Sequence, residues 1–220
     1  SADVECLPID YWGGLSGTVE MLSSLVRPRL ADCQKILAEA GLQLKTWGYS
    51  SEWSGYPGND RNAVRSAAAA IFSALRRQNV EMQEQPPLDT AVSAGAITKV
   101  ISSKSATPLE MALLYASCLE AAKLNPVLVL GKNKVAVGVW LYESCFTATT
   151  QEKRQLHHER IAFFISAQTR RIRNLRRRKA LPHRRGISHS HKGFKRRQIR
   201  TSGRGRIFVR PEARRADRYR

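Results

Sequence analysis

The stretch Thr107–Leu141, TPLEMALLYASCLEAAKLNPVLVLGKNKVAVGVWL, constrains the fold more than any other part of the chain. Thr107-Pro108-Leu109-Glu110 has the form of a helix start. Threonine is an N-cap, proline suits the first helical position because its missing N–H costs nothing there, and an acidic side chain favours the first turn. From Met111 the residues are apolar nearly all round (Ala112, Leu113, Leu114, Ala116, Leu119, Ala121, Ala122), so this helix belongs at the centre of a domain rather than on its surface. Asn125-Pro126 turns the chain into Val127–Leu130, and Gly131-Lys132-Asn133 makes a tight turn into Val135–Leu141. Short valine-rich runs bounded by turn residues read as two antiparallel strands. A buried helix on adjoining strands makes the fold class α+β.

The upstream sequence supplies helices to cover that centre. Thr18 is an N-cap for a helix with Met21, Leu22, Leu25 and Val26 on one face, ended by Pro28. A second helix from about Leu30 presents Ile36, Leu37 and Ala40 and stops at Gly41, since glycine tolerates the left-handed conformation of a C′ residue. The two are expected to form a hairpin. Residues 45–62 carry Trp47, Tyr49, Trp53 and Tyr56 among Gly, Ser and Pro. They read as a lid packed over the core; the alternative, a stacking platform for nucleobases, lacks support from any basic residue between Lys45 and Arg61. Asn59 and Asp60 cap a helix whose Val64, Ala67, Ala68, Ile71, Phe72 and Leu75 form a broad apolar face, with Arg76 and Arg77 at its carboxyl end. Residues 81–105, with Pro86-Pro87 and several small side chains, read as irregular.

The formal charge of +19 is distributed unevenly. Residues 1–150 hold 13 Lys and Arg against 14 Asp and Glu, whereas residues 151–220 hold 24 against 4. A nearly neutral body of −1 is thus followed by a segment of +20, which places a domain over 1–150 and a basic tail over 151–220. All four cysteines (Cys6, Cys33, Cys118, Cys145) lie in the body and all five histidines (His157, His158, His183, His189, His191) in the tail. With no Cys-x-x-Cys pair and so few cysteines, the thiols read as small buried hydrophobes of a reducing compartment, and the expected location is the cytoplasm. Cys118 falls in mid-helix, away from the helix-end field that activates a thiol, and reads as an inert core residue.

No run approaches the roughly 20 apolar residues of a membrane span, and Asp3 and Glu5 do not suit a signal peptide, so no membrane association is expected. The chain starts at Ser1, and Val4–Pro8 reads like the interior of a longer polypeptide, so a fragment is expected.

Four runs together, LPIDYWGG (7–14), GNDRNAVRSAAAAIFSAL (58–75), TPLEMALLYASCLEAAKLNPVLVL (107–130) and VAVGVWL (135–141), resemble one family. It is the transglutaminase-like domain found near the amino terminus of large bacterial superfamily-one helicase proteins. The resemblance covers about residues 4–147 and implies a papain-like core of helices against a small antiparallel sheet. Members with an intact site carry Gly-Thr-Cys before the central helix and Gly-His-Ala before the Val-Gly-Val-Trp strand. The resemblance therefore sets Pro108 at the cysteine position, Lys134 at the histidine position and Glu143 at an acidic position after the strand. A thiolate nucleophile, an activating imidazole and an orienting carboxylate make up that chemistry. Proline offers no nucleophile and a protonated lysine no base. The chain is expected to be a pseudoenzyme without a cofactor, an interaction module bearing on other domains of a larger helicase-like protein. Lys134 is a candidate anion ligand or a solvated turn lysine. No G-x-x-x-x-G-K-[ST] loop occurs, so ATP hydrolysis is not carried over.

The tail suggests a second function. Gln155–Arg178 is expected to form a basic helix with Ile161, Phe164, Ile165, Ile172 and Leu175, and the remainder to be disordered. Arg170, Arg171, Arg176, Arg177, Arg178, Lys179, Lys195, Arg196 and Arg197 are candidate phosphate contacts for non-specific DNA or RNA binding. The pair His157-His158 and the spacing His189-x-His191 read as solvated histidines rather than metal ligands, because no cysteine stands near them. A shifted reading frame through GC-rich DNA also yields arginine-rich sequence of this kind, and that origin of residues 151–220 stands beside the native one.

Overall fold

A computed structural model describes residues 11–15, 19–88, 92–93, 97–131, 134–144, 150–152, 161–166 and 206–208. Strand β1 (Tyr11–Trp12) leads to a 3₁₀ helix, Val19–Leu25, where the sequence predicts an α-helix. Its Leu22 and Leu25, with Val26 behind them, are buried, but Met21 stays 44% exposed. Helix α1 (Ala31–Thr46) does not stop at Gly41. It continues for another turn because Leu44 extends the buried stripe of Cys33, Ile36, Leu37 and Ala40, a gain that outweighs the roughly 1 kcal/mol cost of a mid-helix glycine. The left-handed residue lies farther on, at Gly48 (φ 80°).

Helix α2 (Arg61–Arg77) starts at Asp60, whose carboxylate accepts from the Asn62 amide at 2.8 Å. Val64, Ala68, Ala70, Ile71, Ala74 and Leu75 are its buried face. The stretch read as irregular contains β2 (Glu81–Met82), β3 (Val92–Ser93), the single-turn helix α3 (Val100–Ser103) and β4 (Ser105–Ala106). β3 pairs antiparallel with β1, and β2 pairs parallel with β4.

Helix α4 (Pro108–Ala121) is the central element, with Leu109 and every residue from Met111 to Leu119 buried. A short turn, Ala122–Asn125, with Lys123 at φ 62°, reverses the chain into β5 (Pro126–Gly131), and β6 (Lys134–Trp140) returns antiparallel to it. Alternation sets the faces of this pair. Leu128, Leu130, Val135, Val137 and Val139 point into the main core with α4, while Val127 and Trp140 form a second cluster with Ile161 on the opposite face.

Three further strands complete a five-stranded antiparallel sheet: β7 (Thr150–Glu152), β8 (Ile161–Ser166) and β9 (Arg206–Phe208), in the order β7-β9-β5-β6-β8. The expectation of a basic helix over 155–178 is corrected at Ile161–Ser166, which is a strand on the edge of β6; the other residues of that span lie outside the described ones. The sequence Ile-Ala-Phe-Phe-Ile is rich in β-branched and aromatic residues, and the open edge of β6 offers unpaired backbone groups to receive it. Within the segment expected to be disordered, Arg206–Phe208 pairs with β5; most of the rest lies outside the described residues. The fold is α+β, with α4 packed on β5 and β6 and with α1 and α2 packed against α4.

Candidate functional site

The resemblance puts the reactive position at the start of α4, and hydrogen bonding there is complete. Pro108 is buried and has no N–H. The Leu109 amide donates to Gln85 Oε1 at 2.9 Å, the Glu110 amide to Thr107 Oγ1 at 3.3 Å, and the Met111 amide to the Thr107 carbonyl at 3.0 Å. Glu110 Oε2 in turn accepts from the Thr107 amide at 2.7 Å and closes a capping box. The donors that a helix start offers to an anion are thus taken by the protein itself, and the Glu110 carboxylate occupies the favourable end of the helix dipole.

Lys134 is the first residue of β6 and pairs with Gly131, the last of β5. Because the turn Ala122–Asn125 sends β5 back along α4, positions 108 and 134 share one end of the layer. Glu143 does not join them. β6 runs about 20 Å from Lys134 to Trp140, whose amide donates to the Asn125 carbonyl at 3.1 Å, so Glu143 lies at the α4–β5 turn, exposed, at the opposite end. Positions 108 and 134 thus lie toward one end of the layer and position 143 toward the other.

The aromatic segment 45–62 is anchored at that far end as well. Tyr56 Oη accepts from the Asn125 amide at 2.9 Å, and Gly55 (φ 78°) lies so close to the turn that a Cβ would sit 2.7 Å from the Lys123 carbonyl oxygen. Trp53 and Tyr56 pack on the core, whereas Trp47 and Tyr49 are 43% and 37% exposed. Between this segment and α1 runs a shallow groove of about 190 Å³ lined by Leu37, Ala38, Gly41, Leu42, Lys45, Ser51 and Trp53. It contains none of the three assigned positions. At the start of α2, the Arg61 guanidinium stacks 4.3 Å from the centroid of the Tyr142 ring.

Two of the four thiols are described, and both are buried. Cys33 on α1 donates to the Arg27 carbonyl at 3.8 Å. The neighbouring Cys33, and burial on α4, push the Cys118 thiol well above the ordinary value. The influence of Cys118 lowers Cys33 in turn, against burial and the charge of Asp32. Beside them the Ser117 hydroxyl accepts from the Arg27 amide at 2.9 Å and donates to the Leu113 carbonyl at 2.7 Å. Tyr115, buried three residues before Cys118, donates to the Ala68 carbonyl at 2.9 Å.

Arg170, Arg171, Arg176, Arg177, Arg178, Lys179, Lys195, Arg196, Arg197 and all five histidines lie outside the described residues, as do Cys6 and Cys145. Among the described residues no three His, Cys, Asp or Glu side chains are grouped to hold a metal ion, and no helix is long and apolar enough to cross a membrane. The capping box was legible as Thr-x-x-Glu at 107–110. Gln85 as a cap was not, because that contact joins residues far apart in sequence. The chain matches no protein-family model, no curated protein and no solved structure.

Proposed function

We propose that this chain is a catalytically silent, transglutaminase-like module that works by contact, with other domains of a helicase-type, nucleic-acid-associated protein or with a separate partner. The observation that carries the reading is the closed start of α4. Pro108 stands at the nucleophile position, and the amides that follow it bond to Gln85 and Thr107. A tetrahedral intermediate at this point would find no free donor and no nucleophile. Residues 1–156 contain no histidine to act as base. The contact role draws support from large apolar side chains left in solvent near the end of α1, with Leu42 65% exposed and Trp47 and Tyr49 close in sequence.

The test is iodoacetamide labelling of the folded full-length chain at neutral pH, together with incorporation of a fluorescent amine into a glutamine-containing peptide. The expected result is slow labelling of Cys118 and no incorporation. Rapid labelling of Cys118 or Cys145, or amine incorporation abolished by replacing either with serine, overturns the proposal.

The charge of +20 on residues 151–220 favours a second reading, non-specific binding of DNA or RNA. Because β8 and β9 come from that segment, the test keeps the whole chain and replaces Arg176, Arg177, Arg178 and Lys179 with glutamine. If these residues contact phosphates, affinity for a single-stranded oligonucleotide falls and the slope of log affinity against log salt becomes shallower. An unchanged slope removes this reading.

A further inference from the structure

Gly41 is a mid-helix glycine that its own fold does not require. A Cβ there would meet Ser51 Cβ at 3.5 Å and Trp53 Cζ2 at 4.0 Å, ordinary contact distances, so alanine fits. Alanine is also the better helix former. What glycine does at this position is deepen the groove of about 190 Å³ between α1 and the aromatic segment, where it lies buried.

The patch around that groove complements itself. Ala38, Gly41, Leu42 and Lys45 fall at i, i+3, i+4 and i+7 and share one stripe of α1. Leu42, beside the hole, is 65% exposed, more than any other large hydrophobic side chain among the described residues. Lys45 lines the groove from α1, and Glu52 stands between Ser51 and Trp53, which line it from the other side. Both charged residues are exposed, and among the described residues neither forms an ion pair. One patch thus carries a knob, a hole, an unpaired cation and an unpaired anion.

We propose that this patch binds its counterpart on a second copy of the chain, in a two-fold dimer where α1 crosses α1 at Gly41. Every pairing in such a contact occurs twice. Each Leu42 enters the groove of the other copy, whose volume exceeds that of a cavity of roughly 150 Å³ that takes up a benzene ring. Ala38 and Gly41 lack bulk and let the two helix backbones come close. Lys45 of each copy meets Glu52 of the other. The bodies, at −1 over residues 1–150, carry almost no net charge to oppose the contact. The proposal rests on the reading of the chain as a contact module and names the partner of that module.

The experiment is analytical ultracentrifugation of the full chain from micromolar to near-millimolar concentration, in about 0.3 M salt to screen the basic tails from one another. The weight-average mass is expected to rise with concentration from 24.7 kDa toward twice that. Leu42→Glu should weaken association by about tenfold or more and leave the Tm of dilute protein unchanged. Gly41→Ala should act in two directions: it raises the Tm of dilute protein by roughly 2–4 °C, yet it weakens association by filling the groove. Lys45→Glu should weaken association as well, and Glu52→Lys added to it should restore the wild-type value. A mass of 24.7 kDa throughout overturns the proposal. So does association that survives Leu42→Glu or Gly41→Ala unchanged, or a Lys45→Glu defect that Glu52→Lys does not repair. Failure here differs from failure of the contact module: a single-copy chain with slow Cys118 labelling loses only the second copy as its partner, whereas rapid labelling removes the module itself.

Discussion

Tyr115→Phe isolates one buried hydroxyl, because the ring can stay where it is. Tyr115 is fully buried, its edge-to-face contact with Phe72 (centroids 5.9 Å apart) does not involve the oxygen, and its hydroxyl donates to the Ala68 carbonyl at 2.9 Å. That carbonyl lies inside α2 and keeps its helical amide partner after the substitution. Losing the bond to Ala68 costs about 1 kcal/mol at neutral pH, and not the 3 kcal/mol or more, roughly, of a cavity left by a missing ring.

The pH dependence gives a sharper test of the same group. Burial, with a smaller push from Cys118, holds the Tyr115 phenol well above its ordinary value of 10.0. The unfolded chain releases this proton at about pH 10, so the folded state gains from the neutral phenol fully below that pH. The gain is lost as pH rises toward the folded pKa, at up to about 1.4 kcal/mol per pH unit. Phenylalanine has no such dependence. The difference between the two proteins should close between about pH 10.5 and 11 and then reverse. Urea unfolding followed by tryptophan fluorescence, from neutral pH to about pH 11, measures it. A difference that stays constant across that range would refute the claim that this hydroxyl is buried and protonated.

Two other substitutions test the elements that frame the site. Thr107→Ala removes the acceptor for the Glu110 amide and should cost about 1 kcal/mol, or roughly 2–4 °C in Tm, whereas Thr107→Ser should cost little; calorimetry checks both. Gly55→Ala places a Cβ against the Lys123 carbonyl at a positive φ and should cost roughly 1–3 kcal/mol by urea unfolding. A neutral result there would mean that the aromatic segment is not seated on the α4–β5 turn.

The elements legible in the sequence are those made by neighbours along the chain. The capping box at 107–110, the all-apolar helix behind it, the β5–β6 hairpin and the Asp60 cap of α2 each follow from residues a few positions apart, and the structure shows each one. Local signals failed where distant chain competes. Gly41 looks like a helix end until Leu44 is given a core to enter, and Ile161–Ser166 looks like a basic helix until β6 offers it an edge. The candidate site divides in the same way. Sequence alone determined that residues 1–156 hold no histidine and that proline opens the central helix, since composition and order need no fold. Tertiary structure alone decided that Gln85 closes the helix start and that Glu143 stands at the opposite end from Lys134. Each depends on chain reversals and packing that bring together residues with no local signal for their meeting.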